Sequence, residues 1–235
     1  MSKNIVRGLT SLIFATVLLC GLVIVYIWFS GGDGRASAPI TSSHLTLQTG
    51  DSRILYSIDP EQSEAMFRID EVLLGNPKTV VGKTNQIAGE ILIDFDNPDN
   101  SQLSIIRINV RTLTTDNELR NRALRGQILE ADQDEFEFAE FTPKEFIDLP
   151  QNITNSEVIN FQIKGDLSVH GVTHEVMFHI TVTLVTEDRL EGQAETIITY
   201  QDFDMTIPEA AGVANVSDEV ELKITFVALT SKSKL

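Results

Sequence analysis

The chain of 235 residues has a single cysteine, Cys20. It can therefore form no disulfide within itself and no cysteine-based zinc site. Bases are scarce too: 18 Lys and Arg stand against 34 Asp and Glu, a net charge of −16. That balance excludes the basic footprint of a nucleic-acid binder and a polybasic grip on anionic lipid. No G-x-S-x-G elbow, P-loop or dinucleotide-binding glycine pattern is present. No thiol beyond residue 20 is available as a nucleophile. The residues thus suggest no enzyme, no catalytic set, no cofactor and no metal site. The apolar share, 42%, is ordinary for a globular chain. Stability must come from a packed core.

The charge is unevenly spread. Residues 1–30 contain Lys3 and Arg7 and no acid, so they carry +2 of the total −16 and the rest carries −18. From Leu9 to Phe29 no residue is charged. As a helix at ~1.5 Å per residue this run spans about 30 Å, the thickness of a bilayer's hydrocarbon core. Residues 1–30 are therefore expected to be a single-pass anchor in the cell membrane. The preceding bases hold the N-terminus in the cytoplasm, which leaves the remainder outside it. Tyr26 and Trp28 suit the outer interface. Two alternatives compete. Ala36-Ser37-Ala38 offers a signal-cleavage pattern, although the apolar run exceeds the usual signal core. A lipoprotein signal ending at Cys20 would need a small residue where Leu19 stands. Residues 31–53, rich in Gly, Ser and Thr with few groups to bury, are expected to be a flexible linker.

From residue 54 to 230 the pattern has period two. Ala65, Phe67 and Ile69 alternate with polar neighbours, as do Ile91 and Ile93, Ile106 and Ile108, and Phe136 and Phe138. Longer sets run through Phe161, Ile163 and Leu167, through Phe178, Ile180 and Val182, and through Leu222, Ile224 and Phe226. One apolar and one polar face per run marks antiparallel strands buried on one side. Turn-formers such as Asn97-Pro98-Asp99-Asn100 and Pro150-Gln151-Asn152 separate them. Eight or more such strands suggest a closed barrel without exposed edges. One segment departs from this pattern. Glu118–Glu130 places Leu119, Ala123 and Ile128 at helical spacing and carries Arg120, Arg122 and Arg125. It reads as a short helix over a barrel end, its arginines in solvent or gating a mouth.

His170, His174 and His179 invite a metal reading. The first two flank Gly171 in a turn, so helical i,i+4 ligation does not apply. A turn role for His170 and an exposed position for His179 are expected instead. Glu135, Glu137, Glu140, Glu219 and Glu221 alternate along strands and read as solvated outer-face acids.

At this point an ordered set of motifs resembles the YceI-like family. Tyr56-Ser57-Ile58-Asp59-Pro60 with Ser63 and Phe67 resembles its opening strand. Val81-Gly82 followed by Gly89-Glu90-Ile91 resembles its next hairpin, and Leu113-Thr114-Thr115-Asp116 its turn before an Arg-containing helix. The most specific match is Gly165-Asp166-Leu167-Ser168-Val169-His170-Gly171-Val172-Thr173. Tyr200 and Phe203-Asp204 depart from the family's Arg and Phe-Gly. The resemblance implies an all-β, antiparallel, lipocalin-like extended barrel with one short helix, here behind an N-terminal transmembrane helix. It further implies a long apolar tunnel that binds polyisoprenoid-type lipid.

If the barrel is hollow, the inward set should line it. That set is Phe67, Ile69, Ile91, Ile93, Ile106, Ile108, Phe136, Phe138, Phe161, Leu167, Phe178 and Ile180, with Phe203 at a mouth near Pro208 and Gly212. The expected partner is an isoprenoid or acyl lipid, with the membrane engaged through residues 9–29 and a homodimer left open. The rival reading is a stress-response or protein-interaction module with a solid core. An enzyme ranks third, because it would need a polar cluster inside.

Overall fold

The computed structural model describes residues 13–19, 21–22, 25–26, 31–41, 43–48, 50–151, 153 and 156–230. Ten of the 21 residues of the expected span 9–29, Cys20 and Trp28 among them, lie outside the described residues, as do Lys3 and Arg7. The described residues between 13 and 26 are helical and exposed. Among the described residues no helix is long and apolar enough to cross a membrane.

Thirteen strands among these residues form one antiparallel sheet. In chain order they are β1 (Ile54–Ile58), β2 (Glu64–Leu73), β3 (Asn76–Thr84), β4 (Ile87–Ala88), β5 (Glu90–Ile93), β6 (Gln102–Leu103) and β7 (Ile106–Asn109). After a helical crossing come β8 (Phe138–Ile147), β9 (Val158–Val169), β10 (Val172–Thr186), β11 (Arg189–Thr199), β12 (Val213–Ala214) and β13 (Glu219–Thr230).

The sheet curls on itself. Neighbours run β4–β7–β8–β9–β10–β11–β13–β1–β5. β4 and β5 are one run of chain interrupted at Gly89, so the path returns to its start. There β4 pairs with β7, β5 pairs with β1, and the Ile58 N–H donates to Gly89 O at 2.9 Å. The β2–β3 hairpin continues off β13, where Leu222 faces Phe67. The core is one cluster running from Tyr56 and Ile87 to Phe226 and Ala228.

The two barrel ends differ. At one end β9 turns into β10 through His170 (φ 53°) and Gly171 (φ 75°). Two consecutive positive φ values make the tight turn that suits the twist of a hairpin. The helical crossing covers this end. Helix α1 (Glu118–Ala123) is capped by the Asn117 carboxamide, which accepts from Arg120 N–H at 3.1 Å. It widens into a π-turn, Leu124–Ile128, closed by Leu129 N–H to Leu124 O at 2.9 Å. Leu124, Leu129 and Ala131 are buried against the core. At the other end lie the 94–101 and 148–157 connections and the β10–β11 turn. β9 alone, with 12 residues, separates the ends by about 40 Å.

The arginines of this crossing do not face water. Arg125 is 3% exposed, and its Nε donates to Gly31 O at 2.7 Å. Arg120 pairs with buried Glu71 at 2.9 Å, and Arg122 with Glu118 at 3.2 Å. Burial pulls the Arg125 guanidinium below its ordinary range. The cause lies in the stretch expected as a flexible linker. It offers few apolar side chains, and its backbone docks on the barrel instead. Ser37 N–H donates to Glu137 Oε1 at 2.9 Å, Leu45 N–H to Glu90 Oε2 at 2.6 Å, and Arg107 Nη1 donates to Thr41 O at 3.4 Å. His44 Nδ1 lies 2.8 Å from Glu90 Oε1.

Glu137 corrects the outer-face reading of the acids. It is 1% exposed and pairs with Arg111 at 3.1 Å while accepting from Asn109 Nδ2 at 2.6 Å. Burial alone would raise its carboxyl, but the donors from Ser37 and Asn109 and the Arg111 charge together lower it.

Candidate ligand-binding site

The barrel interior holds a cavity of about 130 Å³. Its walls come from the inward faces of β1, β5 and β7 through β11, and of β13. Ile91 and Ile93 of β5 face Phe161, Phe178 and Ile180 of β9 and β10, with Ile224 and Phe226 of β13 beside them. Phe178 sits edge-on to Phe141, ring centroids 4.9 Å apart. Among the described residues, Ser101 and Gln102 are the only polar side chains in the wall. The volume is close to the roughly 150 Å³ that lets an apolar protein cavity stay dry and take up benzene.

The cavity lies toward the end opposite α1. Leu149 and Ile153 from the 148–157 connection, and Ser101 and Leu103, form its edge. Gln151 Nε2 donates to Asp99 Oδ1 at 3.2 Å, so the two connections meet across the mouth. Tyr56 is buried beside the β10–β11 turn, where its hydroxyl donates to Glu187 O at 2.7 Å. Burial, with the Asp188 and Glu187 charges, pushes this phenol up to about 12.

Of the residues expected to line a tunnel, Ile91, Ile93, Ile106, Phe161, Phe178 and Ile180 border the cavity. Phe67, Ile69 and Ile108 pack against the core away from it, and Leu167 is buried in the core itself. Three lie elsewhere. Phe136 belongs to a 3-10 turn, Asp134–Phe136, and packs 5.1 Å from the His170 ring. Phe138 shares the outer face of β8 with Glu140, under the Arg107 guanidinium at 4.8 Å. Phe203 is 1% exposed and plugs the α1 end, its carbonyl 3.3 Å from His170 Nδ1 and its ring against His174. It fills the closed end rather than flanking a mouth.

Phe141, Phe146, Leu149 and Ile153 were not among the expected lining residues. A bulge between Pro143 and Glu145 shifts the register of β8. Side chains beyond it swap faces, which turns Phe146 inward. Pro143 in a strand was the available signal, since proline there favours a bulge. No group of His, Cys, Asp and Glu among the described residues could hold a metal ion.

The YceI-like domain family matches residues 56–228 of the chain. No curated protein matches it. Among solved structures the fold is similar to BcnA of Burkholderia cenocepacia: 17% identity, TM-score 0.57, covering 72% of this chain and 98% of that one. It is also similar to a polyisoprenoid binding domain from Saccharophagus degradans implicated in plant cell wall breakdown. There the identity is 16% and the TM-score 0.58, over 75% of this chain and 99% of that one. The YceI protein of Campylobacter jejuni aligns at 18% identity and TM-score 0.50, over 64% and 84%. At these identities the likeness is one of fold.

Proposed function

Because the chain belongs to the YceI-like family, we propose that its barrel is a binding protein for a long apolar chain of isoprenoid or acyl type. The observation that carries this reading is the cavity. A volume of about 130 Å³ stays open inside a packed barrel, walled mainly by Ile, Leu, Val and Phe, with no titratable side chain among the described residues that line it. Such a site binds by removing apolar area from water, at roughly 25 cal/mol per Å². The volume accommodates on the order of one isoprene unit in the dry interior, judged by the benzene comparison. A longer chain runs out through the mouth between Ser101 and Ile153. The similarity to a polyisoprenoid binding domain supports the same ligand class. A solid-core interaction module has no use for the void, and an enzyme would need polar groups that the wall lacks.

We further propose that residues 9–29 anchor the chain in the cell membrane with the barrel outside the cytoplasm. The uncharged run and the bases before it support this. Gly31 docks on Arg125 at the α1 end. An anchor ending at Phe29 would therefore meet the barrel at its capped end, with the mouth pointing away from the bilayer. Protease digestion of intact and opened cells tests the location, and resistance to extraction by alkaline carbonate tests the anchor.

Mass spectrometry of organic extracts of the purified full chain tests the ligand. Co-purifying prenyl or acyl lipid is the expected result. Empty preparations that also ignore added prenyl alcohols would overturn the reading.

A further inference from the structure

The mouth of the cavity is acidic and its wall is neutral, and from this we propose that the ligand carries an uncharged polar head, an alcohol or a quinone-type carbonyl, and not a phosphate or carboxylate. The proposal rests on the lipid-binding reading and narrows its ligand class. An apolar tail enters the cavity first. A tail of about one isoprene unit leaves its head at the edge formed by Ser101 and Gln102, and the head of a longer chain stays outside that edge, within reach of its charges at low ionic strength. These two are neutral. Ser101 Oγ accepts from Asp94 N–H at 3.1 Å, which leaves its hydroxyl hydrogen for an acceptor. The exposed Gln102 carboxamide offers both a donor and an acceptor.

The charge of the two connections has one sign. The 94–101 connection contributes Asp94, Asp96 and Asp99, the 148–157 connection contributes Asp148 and Glu157, and neither contains Lys or Arg. Asp94 accepts from Asn97 N–H at 2.9 Å, Asp96 N–H at 3.1 Å and Asn100 Nδ2 at 3.2 Å. Those donors hold its carboxyl below the usual range, so it is ionised at neutral pH. Asp99 is tied to Gln151 from the facing connection. Two bases stand at this end: Arg53 Nη1 donates to Asn100 O at 3.3 Å, and Arg189 at the β10–β11 turn donates through Nε to Glu191 Oε1 at 2.6 Å. Arg53 Nε and Nη2 are held by Asp51 at 2.9 and 2.7 Å, and what its charge still exerts at the edge falls on Asp94. Elsewhere on the strands that wall the cavity, Lys144 and Lys164 point outward and pair with Asp166 and Glu175. An anionic head thus meets an excess of carboxylates, while Arg53 and Arg189 at this end are each already paired with an acid. A neutral head pays no such repulsion, and its oxygen finds a donor.

Native mass spectrometry of the full chain after incubation with an equimolar mixture of farnesol and farnesyl phosphate tests this. The expected result is preferential loading of farnesol, by about tenfold at low ionic strength, shrinking as salt screens the edge. A combined Asp96→Asn, Asp99→Asn and Asp148→Asn variant should narrow the same gap without losing farnesol. Asn keeps the acceptor for Gln151 and tolerates the positive φ of residue 148. Equal or preferred loading of farnesyl phosphate overturns the neutral-head inference while the lipid barrel stands. Loading of neither by folded protein overturns both.

Discussion

Phe226 lays its ring over Gly192, its direct partner across the β11–β13 ladder. A Cβ on Gly192 would stand 2.7 Å from Phe226 Cζ and 2.6 Å from Thr181 O. Phe67 covers its partner Gly82 in the same way, and Phe141 covers Gly165. Each ring occupies the place of a missing side chain, an arrangement that lets a sheet bend tightly without leaving a void.

Gly192→Ala should therefore be costly. The Phe226 ring can swing aside, but the Thr181 carbonyl belongs to the β10 backbone and cannot. Overpacking of this kind costs about 1–3 kcal/mol. Chemical denaturation should show a lower midpoint with an unchanged slope. Because Phe226 borders the cavity, bound lipid should fall in the same variant. An unchanged midpoint would mean that β10 and β11 have slack here.

Phe178→Trp probes the void from the opposite wall. Phe178 borders the cavity and packs edge-on against Phe141. The larger indole should grow into free space, so the melting temperature stays close to that of the parent while lipid per chain drops. In a filled interior the same change would cost about 1–3 kcal/mol. A large fall in melting temperature with lipid content intact would count against an open cavity.

Much of this architecture was legible in the sequence because period-two alternation is a local signal. It places Ile91 and Ile93, or Phe178 and Ile180, on one face without knowledge of their partners. The signal failed at β8 for a physical reason. Alternation gives the spacing of a face but not which face is inward, and Phe138, Glu140 and Arg107 form an outer set while Ala139 and Phe141 point in. The bulge after Pro143 then reverses the phase for Phe146. Glu137 was misread for a related reason. Its burial depends on Arg111 and on Ser37, which is 100 residues away. No local pattern announces a contact made by the backbone of a polar stretch.

That contact should be sensitive to acid. The Glu137 carboxyl lies below its ordinary value of 4.5 in the folded chain. A lowered folded value contributes stability that is present above the unfolded value and lost as pH falls through the folded one. Acidification from neutral to below the ordinary carboxylate range should thus release the Ser37 contact. Hydrogen exchange at residues 31–48 should then rise before exchange in β9 and β10 does. Glu137→Gln keeps an acceptor for Ser37 and removes the titration, so its exchange in this stretch should lose that step. Glu137→Ala removes one of two acids paired with Arg111, which keeps Asp134 at 2.8 Å and the Ala131 and Asp132 carbonyls, so its cost should fall below the roughly 3–5 kcal/mol of a fully broken buried pair. Exchange that stays flat down to global unfolding would contradict this role for Glu137.

Phe138 and Phe146 lie eight positions apart on β8, yet opposite results are expected from them. Phe138 is half-buried on the outer face beneath Arg107. Phe138→Ala should remove a cation–π contact of about 0.5–1 kcal/mol and leave lipid content and chain length unchanged. Phe146 borders the cavity with its ring centroid 6.2 Å from that of Phe161. Phe146→Ala removes a wall residue next to the mouth, so the cavity enlarges and longer or bulkier chains should be retained. Loss of a buried aromatic side chain typically costs about 3–5 kcal/mol. Half-burial at this position puts Phe146→Ala at the low end. Lipid extracts of the two variants, compared by mass spectrometry at equal protein, separate these outcomes. A shift in lipid profile with Phe138→Ala, or none with Phe146→Ala, would mean that the phase reversal at Pro143 does not set the inner face of β8.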